Sequence, residues 1–254
     1  MKVSRQDAIL ELLGDTDSKS MTTVELAEKL QVAPMTIRRD LTEMSKKRLL
    51  SRTYGGASLI IERTTNEKAK IQREAKLEIG RQIALLVAPK STVYLGAGTT
   101  INAAVPFLPT NPQVLYVTNS DLAFRDLLKR KAKVILAGGT YEEKSNQFLG
   151  AIAEQALENF YFDLAFIGTN GVYNGQATTS NLPDKAIKEI AIKRAMEKYV
   201  VADATKIGVA DPYPFANIGE LTGIIVDSKL AKHSVRDLRK LCSVIVAKPL
   251  EPQK

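Results

Sequence analysis

One cysteine and one histidine in 254 residues close off several kinds of chemistry at once. Cys242 alone can form neither an internal disulfide nor a multi-cysteine metal site, so it reads as a small buried hydrophobe. His233 alone rules out a multi-histidine site and leaves little room for a Ser-His-Asp arrangement. No apolar run approaches a membrane span, and the opening segment MKVSRQDAIL has no signal-peptide core. No metal, no cofactor and no membrane contact are therefore expected, and a reducing cytoplasm is the expected location. Acids are also in short supply. Against 36 Lys and Arg there are 28 Asp and Glu, a net charge of +8, which favours a polyanionic partner. The 44% hydrophobic content is ordinary for a soluble globular protein, and the length allows one large domain or two unequal ones.

The chain is organised around Gln31 to Tyr54. At helical spacing Ile37, Leu41 and Met44 fall on one face, while Met35, Thr36, Arg38, Arg39 and Thr42 fall on the other face and the first turn. Pro34 suits the first helical position, where its missing N–H costs nothing. Arginine offers a planar fork that bonds guanine O6 and N7 together, or clamps a phosphate. A solvated helix face with idle arginines would look the same in isolation, so the flanks decide. Ser4 to Leu13 reads as a first helix with Ile9, Leu12 and Leu13 buried, and a polar connector runs from Gly14 to Ser20. Thr22-Thr23-Val24-Glu25 is a capping box that opens a second helix burying Leu26, Ala27 and Leu30. Three short helices with a turn between the last two form a helix-turn-helix, whose last helix enters the major groove. Leu49 to Thr53 can form a strand, and Gly55-Gly56 permits the tight reversal of a wing. Between Pro34 and Ser58 there are six basic residues and two acids, an excess placed where a phosphate backbone would lie. The candidate DNA contacts are Thr23, Met35, Thr36, Arg38, Arg39, Thr42, Lys46, Lys47, Arg48, Arg52 and Tyr54.

This arrangement divides the chain into a DNA-binding domain at 1–58, a linker at 59–75 and a second domain at 76–254. A helix is expected over Lys76 to Val87. From Ser91 short apolar runs alternate with helical stretches. Candidate strands are Thr92–Leu95, Val114–Val117, Val134–Ala137, Leu164–Ile167, Tyr199–Val201, Gly223–Val226 and Val244–Val246. Helices are expected over Ile101–Leu108, Ser120–Lys131, Asn146–Asn159, Asp184–Lys198 and Val235–Leu241. The alternation predicts an α/β domain with a mostly parallel sheet, whose ligands bind beyond the carboxyl ends of the strands. Small and polar residues stand at those ends: Gly96-Ala97-Gly98-Thr99-Thr100, Thr118-Asn119-Ser120, Gly138-Gly139, and Gly168 to Gly171 followed by Thr178-Thr179-Ser180-Asn181. Glycines let backbone N–H groups approach a phosphate, and threonine hydroxyls donate to it, with a helix N-terminus behind them. An ordinary strand-to-helix turn explains any one of these loops, but not four in register.

Met35-Thr36-Ile37-Arg38-Arg39-Asp40-Leu41, followed by Leu50-Ser51-Arg52-Thr53-Tyr54-Gly55-Gly56-Ala57, resembles the signature of the DeoR family of bacterial repressors. The resemblance implies a winged helix-turn-helix joined to a sugar-phosphate sensor with the fold of ribose-5-phosphate isomerase. Three departures stand in the DNA-binding half: Ala33 for a helix-capping Ser, Arg48 for Gly and Tyr54 for His. In the sensor, Asp203-Ala204-Thr205-Lys206 is similar to an Asp-x-Ser-Lys motif, which makes Lys206 the expected cationic contact. Asp184 occupies the place of a frequent Glu, Gly96 stands for a frequent Asp, and Tyr173 for an acid. The loop Thr178 to Asn181 with Asp211 to Phe215 is most similar to the lactose phosphotransferase repressors. The expected effector residues are thus Gly96, Ala97, Gly98, Thr99, Thr100, Thr118, Asn119, Ser120, Gly138, Gly139, Thr178, Thr179, Asp184 and Lys206. The expected partners are double-stranded operator DNA and a small phosphorylated sugar, acting on a homodimer or homotetramer. The competing expectation is a sugar-phosphate isomerase or deaminase with an appended nucleic-acid module. That chemistry needs a positioned base, and His233 lies outside every candidate loop.

Overall fold

The computed structural model describes residues 2–16, 18–46, 49–59 and 65–250. It begins with helix α1 (Lys2–Asp15), a short strand β1 (Ser20–Thr22), α2 (Thr23–Lys29) and α3 (Pro34–Lys46). Strands β2 (Leu50–Thr53) and β3 (Gly56–Leu59) then form an antiparallel hairpin, with β1 added on the far side of β3. Gly55 takes φ +78° in the reversal, a conformation that side chains rarely adopt. The expected capping box closes as Thr22 Oγ1 accepts from the Glu25 amide at 3.1 Å and Glu25 Oε2 accepts from the Thr22 amide at 2.7 Å. Ile9, Leu13, Leu26, Ile37, Leu41, Met44 and Leu50 make one small core under these elements. The polar connector expected from Gly14 to Ser20 ends in β1, whose burial the sequence pattern did not signal.

The connecting helix α4 (Thr65–Lys70) leads into α5 (Arg73–Leu86). Strands β4 (Thr92–Leu95), β5 (Leu115–Thr118) and β6 (Lys133–Leu136) follow, interleaved with α6 (Thr99–Asn102) and α7 (Asp121–Lys129). A hairpin of β7 (Thr140–Glu142) and β8 (Gln147–Leu149) precedes α8 (Ala151–Glu158) and the long strand β9 (Phe162–Gly168). After it come β10 (Gly171–Tyr173), β11 (Gln176–Thr179), α9 (Leu182–Lys193) and β12 (Ala195–Ala202). The chain closes with β13 (Tyr213–Asn217), β14 (Gly223–Val226), α10 (Lys232–Leu238) and β15 (Ser243–Val246).

All seven expected strands enter one parallel sheet, ordered β15-β14-β12-β9-β4-β5-β6. Their side chains divide by parity. Tyr94, Ala165, Ile167, Val200 and Ile224 face one core, and Val93, Leu95, Phe166, Val201 and Ile225 face the other. A strand covered on both faces needs apolar residues at every position, which is why these runs are continuous rather than alternating. A smaller antiparallel sheet, β10-β11-β13, lies beside it.

Three helices differ from expectation. Over Ile101–Leu108 there is only the single turn of α6 and a 3-10 turn at Val105–Phe107, because Pro106 has no N–H to continue an α-helix. The stretch Asn146–Asn159 gives up its first part to β8, and Gly150 at φ +85° separates strand from helix. Within Asp184–Lys198 the helix stops at Lys193, since Ala195 already pairs with Phe162 of β9. Close packing also constrains α5. A Cβ on Gly80 would lie 2.6 Å from the Ala103 carbonyl oxygen, so Gly80→Ala is expected to destabilise the protein by about 1–3 kcal/mol. A fall in the urea midpoint with an unchanged slope is the measurement; an unchanged midpoint would show that α5 and the end of α6 can separate freely.

Candidate functional site

The arginine helix presents the face its sequence implies. Pro34 occupies the first turn, and Ala33, where a capping hydroxyl is absent, still offers its carbonyl to the Thr36 amide at 2.9 Å. Ile37, Leu41 and Met44 are fully buried, while Met35, Arg38, Arg39 and Thr42 are exposed and, with Glu43, frame a shallow surface. Asp40 takes no part in that surface. It is buried, and Arg5 Nε of α1 donates to its carboxylate at 2.5 Å, so the acid is neutralised from below. The outer face therefore meets solvent more positive than a residue count suggests. Thr36 is half-buried, and Tyr54 is 91% exposed at the tip of the wing. Thr23 is buried, its amide donating to the Gly55 carbonyl at 2.7 Å, which ties the wing turn to α2. Lys46 ends α3; Lys47 and Arg48 lie outside the described residues.

Arg52 is placed differently from the other basic residues. Its strand lies against the second domain: the Ala210 amide donates to the Arg52 carbonyl at 3.1 Å, and Ser51 Oγ donates to Asp211 at 3.0 Å. The guanidinium is half-buried, its pKa lowered chiefly by that burial, and Nη1 has no hydrogen-bond partner among the described residues. Asp211 is the node of this contact. Its other carboxylate oxygen accepts from Asn170 Nδ2 at 2.8 Å, and its amide donates to Thr178 Oγ1 at 2.9 Å.

Beneath the wing is a cavity of about 360 Å³. It opens at the carboxyl ends of β4, β9 and β12, the point where the sheet changes direction: β5 and β6 extend it one way and β14 and β15 the other. That crevice is where open parallel sheets bind ligands. Ala97, Gly98, Thr99 and Thr100 line one side, Gly168, Thr169 and Asn170 the next, and Asp203, Thr205 and Lys206 the third. Gly98 has φ +140°, and a Cβ there would meet nothing within 4 Å, so its substituent direction is open. Since α6 is a single turn, its dipole adds little here, and the donors are the free amides and the threonine hydroxyls.

The Lys206 turn is firmly built. Asp203 caps it by accepting from the Thr205 amide at 3.0 Å and from the Thr205 hydroxyl. Buried Asp227 holds the next residue, accepting from the Ala204 amide at 2.6 Å. Lys206 itself is half-buried, and its ammonium has no protein partner among the described residues. On the far wall Asp184 and Lys188 form a buried pair at 2.5 Å, and Thr179 donates to the same carboxylate oxygen.

Several expected effector residues face protein instead of the cavity. Gly96 lets β4 approach β9, its amide donating to the Phe166 carbonyl at 3.0 Å. Thr118, Asn119 and Ser120 are at most 1% exposed. Thr118 donates to the Leu95 carbonyl, Asn119 joins Tyr94 to the Phe148 carbonyl, and Ser120 caps α7. Gly139 accommodates the Leu149 carbonyl, 2.6 Å from where a Cβ would stand, and Gly138 lies beside it at the sheet's edge. Thr178 and Thr179 are buried and bonded to Gly171 and Asp184. Ala97 to Thr100, Asp184 and Lys206 are the expected residues that the fold brings together at the cavity.

Other lining residues were not among the expected effector contacts, although Asn170, Asn181 and Asp211 stood in the polar loops. Lys188 carried a usable signal, four residues after Asp184 on an expected helix. Asn181 caps α9, and Asn170 and Asp211 lie in loops where a sequence gives no direction. Lys76 opens the helix expected over Lys76 to Val87 with nothing in the sequence to mark its burial, yet it is 5% exposed. The DNA-binding half contributes Ser18, Lys19 and Ser51 to the rim, and the connecting helix contributes Thr65 and Lys68. Among the described residues no three His, Cys, Asp or Glu side chains are grouped to hold a metal, and no helix is long and apolar enough to cross a membrane.

The two halves correspond to two known domain families. A DeoR-like helix-turn-helix domain matches residues 5–63, and the DeoR C-terminal sensor domain matches residues 71–228. A lactose phosphotransferase system repressor of Staphylococcus epidermidis is 31% identical over 235 residues, covering 89% of this chain and 92% of the relative. FruR of Bacillus subtilis, described as an uncharacterized HTH-type transcriptional regulator, is 32% identical over 210 residues, 81% of this chain and 84% of its own. Among solved structures, ribose 5-phosphate isomerase A of Methanocaldococcus jannaschii aligns over 52% of this chain and 53% of its own at 17% identity, with a TM-score of 0.39. With both of the family's domains present in order and relatives that span nearly its whole length, the chain belongs to the DeoR family of transcriptional regulators.

Proposed function

We propose that this protein represses genes of carbohydrate metabolism in the cytoplasm, holding operator DNA through α3 and responding to a sugar phosphate in the cavity at the β4, β9 and β12 ends. The observation that carries this reading is a cavity in which the Lys206 ammonium, without a partner among the described residues, stands opposite a glycine-threonine loop, with residues of the DNA-binding half at the rim. A dianionic phosphate needs several donors and a fixed cation to offset its lost hydration, and these elements supply both. Ala97 to Thr100 and Lys206 hold the phosphate, and Asp184, with Asn170 and Asn181 near it, meets the sugar hydroxyls. Thr178 and Thr179 act one step back, orienting Asp211 and Asp184. Paired recognition helices in a homodimer or homotetramer would read the two halves of an operator.

Binding rather than turnover is supported by the state of the acids. Asp203 is bonded to Thr205, Asp211 to Ser51 and Asn170, and Asp184 to Lys188 and Thr179. Of the four lining carboxylates only Glu142 is loosely held, accepting from the Lys144 amide at 3.4 Å on the exposed strand β7. The other three acids are all engaged, where aldose–ketose isomerisation would need a free base. The test is a thermal-shift screen against phosphate esters of hexoses, pentoses and glycerol, each beside its unphosphorylated parent. A ligand at a hundredfold excess over its Kd adds about 2.7 kcal/mol of stability. A rise in Tm is expected for at least one ester and for no parent sugar. Shifts for none, or ketose formation from an added aldose phosphate, would refute the proposal.

A further inference from the structure

Lys76 is the most buried of the cavity's lysines, yet it meets no carboxylate. Its ammonium donates to the Lys68 carbonyl, and to the Ile71 carbonyl at 2.7 Å, and it forms no ion pair among the described residues. Both carbonyls belong to the last turn of α4 and the joint that follows it, where a helix leaves its acceptors unsatisfied. α4 has six residues, too few to stand without such partners. At its other end the Thr65 amide donates to the Lys144 carbonyl at 3.0 Å. The connecting helix is thus held at both ends by the sensor domain, and the hold at its carboxyl end is a lysine that also lines the cavity.

We infer that Lys76 is a second phosphate-binding cation, one that exchanges the Lys68 and Ile71 carbonyls for the ligand's phosphate and so loosens the helix joining sensor to DNA-binding domain. The inference rests on the sugar-phosphate reading of the cavity. Lys76 and Lys206 approach the cavity from α5 and from the turn after β12, and they sense each other's charge across it. A phosphate between them would turn mutual repulsion into a shared contact. Bonds from an ammonium to a phosphate dianion are stronger than bonds to neutral carbonyls, which favours the exchange once the ligand arrives. The charged groups facing Lys76 are Asp203 and Lys206 from that turn and Lys68 from α4. Burial outweighs Asp203, and the Lys76 pKa is pushed down to about 8. Through that value the empty protein loses the proton that the phosphate requires, so ligand affinity falls as pH rises from 7 to 9. A phosphate monoester is fully ionised over most of this range, with its second pKa near 6.

The test is calorimetric titration of full-length wild type, Lys76→Met and Lys76→Arg with fructose 1-phosphate, galactose 6-phosphate, ribose 5-phosphate, glycerol 3-phosphate and inorganic phosphate. Wild type is expected to bind at least one ester several-fold more weakly at pH 9 than at pH 7. Lys76→Met should raise that Kd at least tenfold at pH 7, and Lys76→Arg should bind with little change between the two pH values. Hydrogen exchange gives a second readout: amides in 65–70 should exchange faster in the liganded wild type, the reverse of ordinary ligand protection. A Lys76→Met protein with wild-type Kd, a Lys76→Arg protein with the wild-type pH profile, or slower exchange in 65–70 would overturn the role of Lys76 alone. Absence of binding by wild type to every probe would remove the sugar-phosphate reading and this inference with it. If Lys76→Met does not fold, the wild-type and Lys76→Arg pH profiles decide.

Discussion

Lys206→Ala is expected to remove the response of operator binding at wild-type effector concentrations of sugar phosphate while leaving operator affinity almost intact. The residue lies in the sensor, on a turn fixed by Asp203 and Asp227, and its ammonium has no hydrogen-bond or ion-pair partner among the described residues. Removing it therefore should cost little stability. A charge-assisted hydrogen bond contributes roughly 1.5–3 kcal/mol, so effector affinity should fall by about one to two orders of magnitude. Gly98→Val should silence the response by a different route. At φ +140° any side chain is strained, and the valine would project into the open space through which a phosphate reaches the loop amides. Operator binding with and without sugar phosphate, for wild type and both variants, tests this, with circular dichroism to confirm folding. A folded Lys206→Ala protein that responds at wild-type effector concentrations would place the phosphate elsewhere.

The second large effect concerns DNA. Arg38 and Arg39 are exposed on a helix whose underside is locked into a core by Ile37, Leu41 and Met44. Loss of either arginine should cost about 1–3 kcal/mol if it reads a base, and should relax specificity at one position. The double variant should lose operator discrimination while its stability stays near wild type, because neither side chain packs against the core. Lys47→Ala is expected to act differently, weakening all sequences alike and reducing the salt slope by about one unit. Gel-shift titrations at several salt concentrations separate the two behaviours. Unchanged operator affinity in the Arg38/Arg39 double variant would end the assignment of α3 as the reading helix.

The wing adds a constraint that such experiments will meet. Arg52 is the one basic residue of the described wing strand, and its backbone is bonded to Ala210 while Ser51 is bonded to Asp211. Asp211 in turn holds Asn170 and Thr178 beside the cavity. Ligand loops and wing thus share one carboxylate. A sensor that favours one placement of the wing over another has, in this node, a physical connection through which to act.

The sequence by itself determined which segments enter the large parallel sheet and which face of α3 is buried. The apolar runs at Thr92–Leu95, Gly223–Val226 and the other central strands became the parallel sheet because a strand covered on both faces must be largely apolar, while the runs of β6 and β15 took its half-exposed edges. Ile37, Leu41 and Met44 went under α3 because helical periodicity allows no other common face. The capping box and the wing reversal were legible for the same reason: each depends on residues only a few positions apart. Strand order was not legible, and it decided the site. The four polar ends after β4, β5, β6 and β9 looked equivalent in sequence, but only β4 and β9 flank the change of direction, so Thr118 to Ser120 stand at the side bonded to protein and Gly139 packs against the Leu149 carbonyl. Order depends on pairings between residues far apart in the chain, such as Leu95 with Phe166 and Tyr199 with both Phe166 and Gly223. No local pattern records these. Lys76 shows the same limit for a single residue: nothing in the sequence marks it as buried, and only the packing of α4 and α5 beside the cavity buries it.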